Sequence, residues 1–379
     1  MNFFNLLVFL QKGDKGDFEV PVDSQKSFIS SFREPNDDIE RGYYQYLCQN
    51  VFVPSWKQVC LNVIAALGLI IVIIYYVVKR LFVTKGDVIP VMIENKGMDE
   101  VVPEIVKQQY RPSTVGYNEG ASLSLSDICF LFKLVNKSPL HPYFVFKAMM
   151  NIARYSGMIK KHSPGVMIQF GEFSFSSSIL TAFCHLHRIK HIDVMHGEKI
   201  FCIKDSFFHY DECYVWSDYY INLFKSQRAY PDQFIVALPP SMVIDIPKFF
   251  NKNSFADYKY YLELYNEREI KQIVSSMEFA LKGGMTVKYR PHPRYSDVSL
   301  LRKYVKDEDI ELPREVSILE SISSTNNAVG LYTTVMAQAY YSGKNVIIDD
   351  MTFKDIYDKC EEYQYAMVKL IPDKLSMHQ

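Results

Sequence analysis

No C-x-x-C pair occurs anywhere in the chain, although it holds seven cysteines: Cys48, Cys60, Cys129, Cys184, Cys202, Cys213 and Cys360. An odd, scattered set excludes a disulfide scaffold or a zinc ribbon and suits a reducing compartment. An excess of one charge is also missing. Forty-two Lys and Arg oppose 43 Asp and Glu, giving a net charge of -1, which argues against a protein that coats nucleic acid. There is no G-x-x-x-x-G-K-[ST] cradle, which removes the P-loop NTPases, and no G-x-S-x-G elbow. Low-complexity tracts and internal repeats are absent. What is present is globular. The 379 residues are 48 % hydrophobic and 22 % charged, enough core for two domains and unlike disordered, collagen-like or coiled-coil chains.

One long apolar run stands out. Val59 to Val78, VCLNVIAALGLIIVIIYYVV, carries no charge over twenty residues, roughly 30 Å of helix and the thickness of a bilayer core. Tyr75 and Tyr76 near one end, followed by Lys79, Arg80 and Lys85, fit interfacial anchors. The spacing predicts a transmembrane helix at 59–78, with a buried core helix as the alternative because Asn62 and Gly68 interrupt the run. Lys79, Arg80, Lys85 and Lys96 outnumber Arg41 and Lys57 among the flanking cations. That asymmetry places the larger C-terminal portion in the cytoplasm. The opening MNFFNLLVFLQKGDKGD has no basic n-region and no small-residue cleavage site, so it does not read as a signal peptide.

Beyond Lys85 short apolar runs alternate with amphipathic stretches. Residues 87–93, 165–170, 191–195, 213–216 and 233–238 read as buried strands, with helices near 143–161, 176–188 and 217–227. After LPPSMVIDIP (238–247) the rhythm restarts: strands at 257–264, 286–290, 328–332 and 345–349, and a helix over Arg268–Lys282 closed by Gly283-Gly284. Two strand–helix series predict an α/β protein with two doubly wound, Rossmann-like domains. The divisions are 1–58 of unassigned role, 59–78 the apolar helix, 86–246 a first Rossmann-like domain and 247–379 a second. Ligands of such domains bind beyond the carboxyl ends of the strands, in a cleft.

Four strand ends carry chemistry. Gly171-Glu172-Phe173-Ser174 follows the strand at 165–170 and offers a tight turn, hydroxyls and a carboxylate for general-base work, or simply a solvated loop acid. His196-Gly197-Glu198-Lys199 projects an imidazole from a sheet edge where glycine lets the chain turn. Arg290-Pro291-His292-Pro293-Arg294 stiffens a histidine between two guanidinium groups, an arrangement suited to phosphate or carboxylate. Thr333-Thr334 opens a helix and presents hydroxyl and N–H donors to an anion, or serves as an N-cap. A zinc site from His185, His187, His191 and His196 is not expected, because i,i+2 spacing points the first two apart. Asp307-Glu308-Asp309 follows LLRKYVK instead of an apolar strand and reads as a solvated charge cluster.

The last hundred residues, through KYRPHPR, ELPREVSILESI and VGLYTTVMAQAYYSGKNVIID, resemble the C-terminal half of bacterial GT-B glycosyltransferases, nearest those making sialylated lipooligosaccharide and capsule. The resemblance implies a GT-B-like fold, two domains facing a cleft, preceded here by a hydrophobic helix. It implies a metal-independent, inverting transfer from a CMP-activated donor to a glycan acceptor, with no cofactor. His292 and Pro293, with Thr333 and Thr334, match the family's contacts to the CMP phosphate, and Glu315 its ribose or base contact. The acidic motif that supplies that family's base is echoed only partly by Gly171-Glu172. A second resemblance is to CDP-glycerol glycerophosphotransferases, which combine His-Gly, R-x-H-P and a late hydroxyl pair. It implies His196 as acceptor base, with Arg290, His292, Thr333 and Thr334 on the donor phosphates; Tyr332 departs from its usual pattern. Of the two base candidates, His196 is expected to be essential, with Glu172 as base or acceptor-orienting residue. Both resemblances cover roughly 165–350.

Overall fold

A computed structural model describes residues 9–11, 13–94, 100–116 and 120–378. Most of the opening stretch weighed as a leader lies outside the described residues. The chain divides into two compact units, residues 1–196 with 201–237 and residues 197–200 with 238–379. The division at Ala237 and Leu238 falls at the start of the proline-punctuated stretch, and residues 1–58 belong to the first unit.

The first unit holds a six-stranded parallel sheet in the order β2-β1-β3-β4-β5-β6. Its strands are β1 (Val91–Glu94), β2 (Ser113–Val115), β3 (Val166–Gln169), β4 (Lys190–Val194), β5 (Glu212–Val215) and β6 (Phe234–Val236). Four of them fall on the apolar runs picked out as strands, at 165–170, 191–195, 213–216 and 233–238, and β1 closes the run at 87–93. Buried strands of a parallel sheet read as continuous hydrophobic stretches, which is why they were legible. Strand β2 was not foreseen; at three residues, two of them exposed, it leaves no apolar signature.

Helices α1 (Val22–Ser30), α2 (Asp38–Asn50), α3 (Ser55–Arg80), α4 (Glu104–Tyr110), α5 (Leu125–Lys137), α6 (Pro142–His162), α7 (Ser177–Leu186) and α8 (Asp218–Ser226) surround this sheet. Helix α2 starts on Asp37, whose side chain accepts from the Glu40 N–H at 2.8 Å. It lies flush on α7, because a Cβ at Gly42 would come within 2.7 Å of Ile179 and of the Phe175 carbonyl. Helix α3 is long and apolar enough to cross a membrane by length and composition. One of its faces packs beside α6 on the core formed by Leu131, Leu134, Phe144, Ile152 and Phe183.

The second unit repeats the pattern with four parallel strands, β7 (Ala256–Tyr261), β8 (Val287–Arg290), β9 (Thr325–Gly330) and β10 (Asn345–Ile348), in the order β10-β9-β7-β8. Helices α9 (Glu267–Ser276) and α10 (Thr334–Tyr341) follow β7 and β9. In both sheets the first strand lies between the second and the third, so chain direction around the sheet reverses beside it. Beyond the carboxyl ends of such a switch point is where open α/β sheets bind ligands. Gly330 keeps β9 close to β7: a Cβ there would meet the Tyr261 carbonyl and Met336, both at 3.3 Å.

Candidate functional site

In the second unit the carboxyl ends of β7, β8 and β9 carry Glu263, His292 and Thr333. Strand β8 ends at Arg290, and Pro291 and Pro293 hold the turn that follows. The Nδ1 of His292 accepts from the N–H groups of Arg294 at 3.1 Å and Tyr295 at 3.3 Å. That commits Nδ1 as an acceptor, so the neutral ring carries its proton on Nε2, outward, as a donor. Tyr295 stacks on the imidazole with centroids 4.5 Å apart. Ser296 ties the turn to the neighbouring strand end, accepting from the His292 N–H at 2.8 Å and donating to the Glu263 carbonyl at 2.6 Å.

A pocket of about 350 Å³ opens beside this turn, lined by Pro291, His292, Pro293, Arg302, Pro313 and Arg314 among others. It joins two segments singled out in the sequence, Arg290–Arg294 and Leu312–Glu315, and gives them one histidine and two guanidinium groups. Glu315 itself is exposed, against Arg314 at 3.4 Å, and does not line the pocket. Arg294 is exposed.

Arg290 is placed otherwise than expected. Its guanidinium is buried and donates to Glu311 Oε1 and to the Val316 carbonyl, both at 2.8 Å. Lys259, fully buried, holds the other carboxylate oxygen of Glu311 and the Ser321 carbonyl. Burial pulls the Lys259 ammonium below its usual range, and Glu311 opposes that shift. This cluster is a structural floor, since both cationic side chains are held by acceptors inside the unit.

Thr333 caps α10, its hydroxyl accepting from the Val335 N–H at 3.4 Å, and Thr334 is exposed at the first turn. Glu263, a residue the sequence reading missed, lies near Thr333 and His292. Burial raises the Glu263 carboxyl above its ordinary range, while the nearby Thr333 hydroxyl and His292 pull it down. Glu263 was hidden inside DYKYYLEL, read as one strand; the strand stops at Tyr261. Arg302 was hidden in LLRKYVK, which reads as solvated. Burial raises the Tyr365 hydroxyl well above its ordinary range, helped by nearby Glu198 of the 197–200 segment, Tyr332 and Glu263.

The first unit arranges its strand ends differently. Glu172 is 0 % exposed, so the expectation that this carboxylate faces a cleft is corrected: it lies inside the unit. The cause is α2. Gln45 donates to the Glu172 carbonyl at 2.9 Å and Gln49 to the Phe173 carbonyl at 2.8 Å, roofing the 171–175 turn. Gly171 donates its N–H to Asp193 at 2.8 Å, and Ser174 pairs with Ser176 at 2.8 Å. Beneath lies a buried polar network in which Tyr155 and Tyr210 flank Gln169 at 2.9 and 2.8 Å. His191, between Tyr155 and Thr181, is pushed down to about 3 by burial. His196 is half-buried, with its ring edge-on to Phe170 at 5.8 Å and near Phe173 at 6.2 Å. Gly197 has φ +72 in open space, a left-handed turn that favours glycine. Glu198 and Lys199 are half-buried.

Among the described residues no group of three or more His, Cys, Asp or Glu side chains could hold a metal ion. Asp307–Asp309 is a short exposed turn paired with Arg302 and Lys306.

No protein-family model matches the sequence, and no curated protein does at significant similarity. Solved structures of similar arrangement exist. Anabaena HepE in complex with UDP and glucose shares 8 % identity over 76 % of this chain and 97 % of its own, with a TM-score of 0.38. The lipopolysaccharide outer core galactosyltransferase WaaB shares 10 % over 77 % and 93 %, at 0.39. The wall teichoic acid polymerase TagF shares 9 % over 85 % and 86 %, at 0.41. All three scores lie below 0.5, so the functional reading rests on this chain's own residues.

Proposed function

We propose that the chain is an inverting, metal-independent glycosyltransferase of bacterial surface-polysaccharide assembly, attached to the cytoplasmic face of the inner membrane through residues 59–78. The favoured donor is a CMP-activated sugar of the sialic-acid kind, and the acceptor a surface glycan. The observation that carries this is the pocket at the end of β8, lined by His292, Arg302 and Arg314. One imidazole on a proline-stiffened turn, with two guanidinium groups on the neighbouring segments, suits a nucleotide phosphate.

In the reaction the acceptor oxygen attacks the anomeric carbon, its proton passes to a base, and the bond to the donor phosphate breaks. Charge grows on that phosphate. Donors fixed in advance at that position stabilise the transition state more than the ground state, and His292 Nε2–H with the N-terminus of α10 at Thr333 and Thr334 fills that role. His196 is the base in this reading, since an imidazole can take up the acceptor's proton; Glu172, walled in, supports the turn it belongs to.

A second reading, a CDP-glycerol or CDP-ribitol type of polyol-phosphate transfer, is favoured by one observation. The carboxylate that a sialyltransferase-like mechanism needs is fully buried, whereas the histidine of the rival pattern is only half-buried. Purified protein assayed with CMP-, CDP- and UDP-linked donors in EDTA distinguishes these outcomes. Transfer from a CMP-sugar without metal is expected. Transfer from CDP-glycerol alone establishes the second reading, and activity lost in EDTA and restored by Mn²⁺ removes the metal-free mechanism.

A further inference from the structure

Helix α3 is apolar on both faces, and the protein uses only one. Inward, Leu61 and Ala65 are buried, and Leu69, Val72, Ile73 and Tyr76 pack on the first unit's core. Polar ties fasten the helix along its length. Asn62 accepts from the Tyr143 N–H at 3.1 Å, the Tyr76 carbonyl from the Leu123 N–H at 3.1 Å, and Arg80 donates to the Ser156 hydroxyl at 2.7 Å. Outward, Val63, Leu67, Ile70, Ile71, Ile74 and Val78 follow the helical period and are each about half exposed or more. A continuous stripe of that length is larger than the patches ordinary soluble monomers show to water.

The chemistry at the ends of the stripe indicates what covers it. Trp56, near the start, and Tyr75, one turn before the end, are both exposed, in the positions aromatic side chains take at a lipid–water boundary. Past Val78 a pocket of about 230 Å³ is lined by Lys79, Phe82, Val83, Thr84, Gly120 and Lys161. Two ammonium groups and a hydroxyl beside an exposed phenyl ring complement an anionic head group joined to acyl chains.

We propose that α3 lies in the plane of an anionic membrane surface, with its outward stripe in the acyl boundary and the Lys79–Lys161 pocket on a lipid phosphate. The helix does not cross the bilayer. Crossing would carry into hydrocarbon the partners bonded along it, including α6 with Lys147, Arg154 and Lys160, at a cost of several kcal/mol. The inference deepens the membrane attachment proposed above and is independent of the transfer reaction.

The test uses the full chain and flotation with vesicles of phosphatidylcholine alone or mixed with phosphatidylglycerol. Binding to the mixed vesicles is expected. Ile70→Lys with Ile74→Lys should lower the bound fraction about ten-fold, and Lys79→Glu with Lys161→Glu should abolish the preference for anionic lipid. Urea melting of each variant separates these effects from misfolding. In inverted membrane vesicles, Ser55→Cys and Lys85→Cys, in a Cys60→Ser and Cys129→Ser background, should both react with a membrane-impermeant maleimide from the same side. Reaction of only one overturns the in-plane arrangement. A wild-type chain that ignores both vesicles but dimerises, and becomes monomeric with Ile70→Lys, shows that a second copy covers the stripe instead.

Discussion

The two units share the order of their first four strands and treat their strand ends in opposite ways. In the first, α2 closes over the turn after β3, so Glu172 and the Tyr155–Gln169–Tyr210 network are sealed from water. In the second, the turn after β8 stands open on a pocket, and the buried charges lie beneath it in the Lys259–Glu311–Arg290 cluster. Similar topology thus gives one unit a rigid polar interior and the other a binding surface. A chemical group at a strand end is available only if no other part of the chain roofs it.

The largest expected effect breaks the second unit's floor. Glu311→Ala leaves Lys259 and Arg290 buried without their carboxylate, which should cost about 3–5 kcal/mol. Calorimetric melting should show that loss in full, whereas a shift below about 1 kcal/mol would mean the cluster is not the floor described here.

Next comes the choice of base, which sharpens the contrast between a sealed and a half-buried residue. His196→Asn should lower turnover on the order of 10²-fold or more. Glu172→Gln should lower the melting temperature and leave turnover within a few-fold. Rate measurements under saturating donor decide this, and the opposite pattern would return the catalytic role to Glu172.

The first unit's sealed network also predicts an acid response. His191 is depressed in the folded chain to about 3, so below its unfolded value of about 6.5 the unfolded chain binds the extra proton. Stability therefore falls as pH drops from about 6.5 toward 3, by about 1.4 kcal/mol per pH unit at most. Urea melts at pH 7 and pH 5 should show the loss in wild type and a smaller one in His191→Gln. The smallest effect concerns Glu263. Removing its negative charge in Glu263→Gln should tighten nucleotide binding a few-fold at pH 7, by titration calorimetry, if the carboxylate faces the phosphate site.

Much of this architecture was legible in the sequence because buried parallel strands are continuous apolar runs. The runs at 165–170, 286–290 and 345–349 show it, as does the restart after 238–247. Strand order was not legible. Nothing local in DYKYYLEL reveals that it lies between β8 and β9, so Glu263 went unnoticed. Nor does the GEFSFS turn reveal that Gln45, more than a hundred residues earlier, covers it. Arg290 looked like a phosphate ligand because its partner Glu311 lies on a separate segment. Helix α3 was ambiguous for another reason: an all-apolar helix satisfies protein core and lipid equally well, and only its packing on α6 separates the two faces.

The central claim is that the open turn after β8 binds the donor nucleotide. Calorimetric titration of CMP, CDP and UDP into the wild-type chain and into Arg314→Ala and His292→Ala tests it most directly. At least one nucleotide should bind the wild type without added metal, and each substitution should weaken it about ten-fold while leaving the urea midpoint unchanged. Equal affinity in all three proteins would contradict the account.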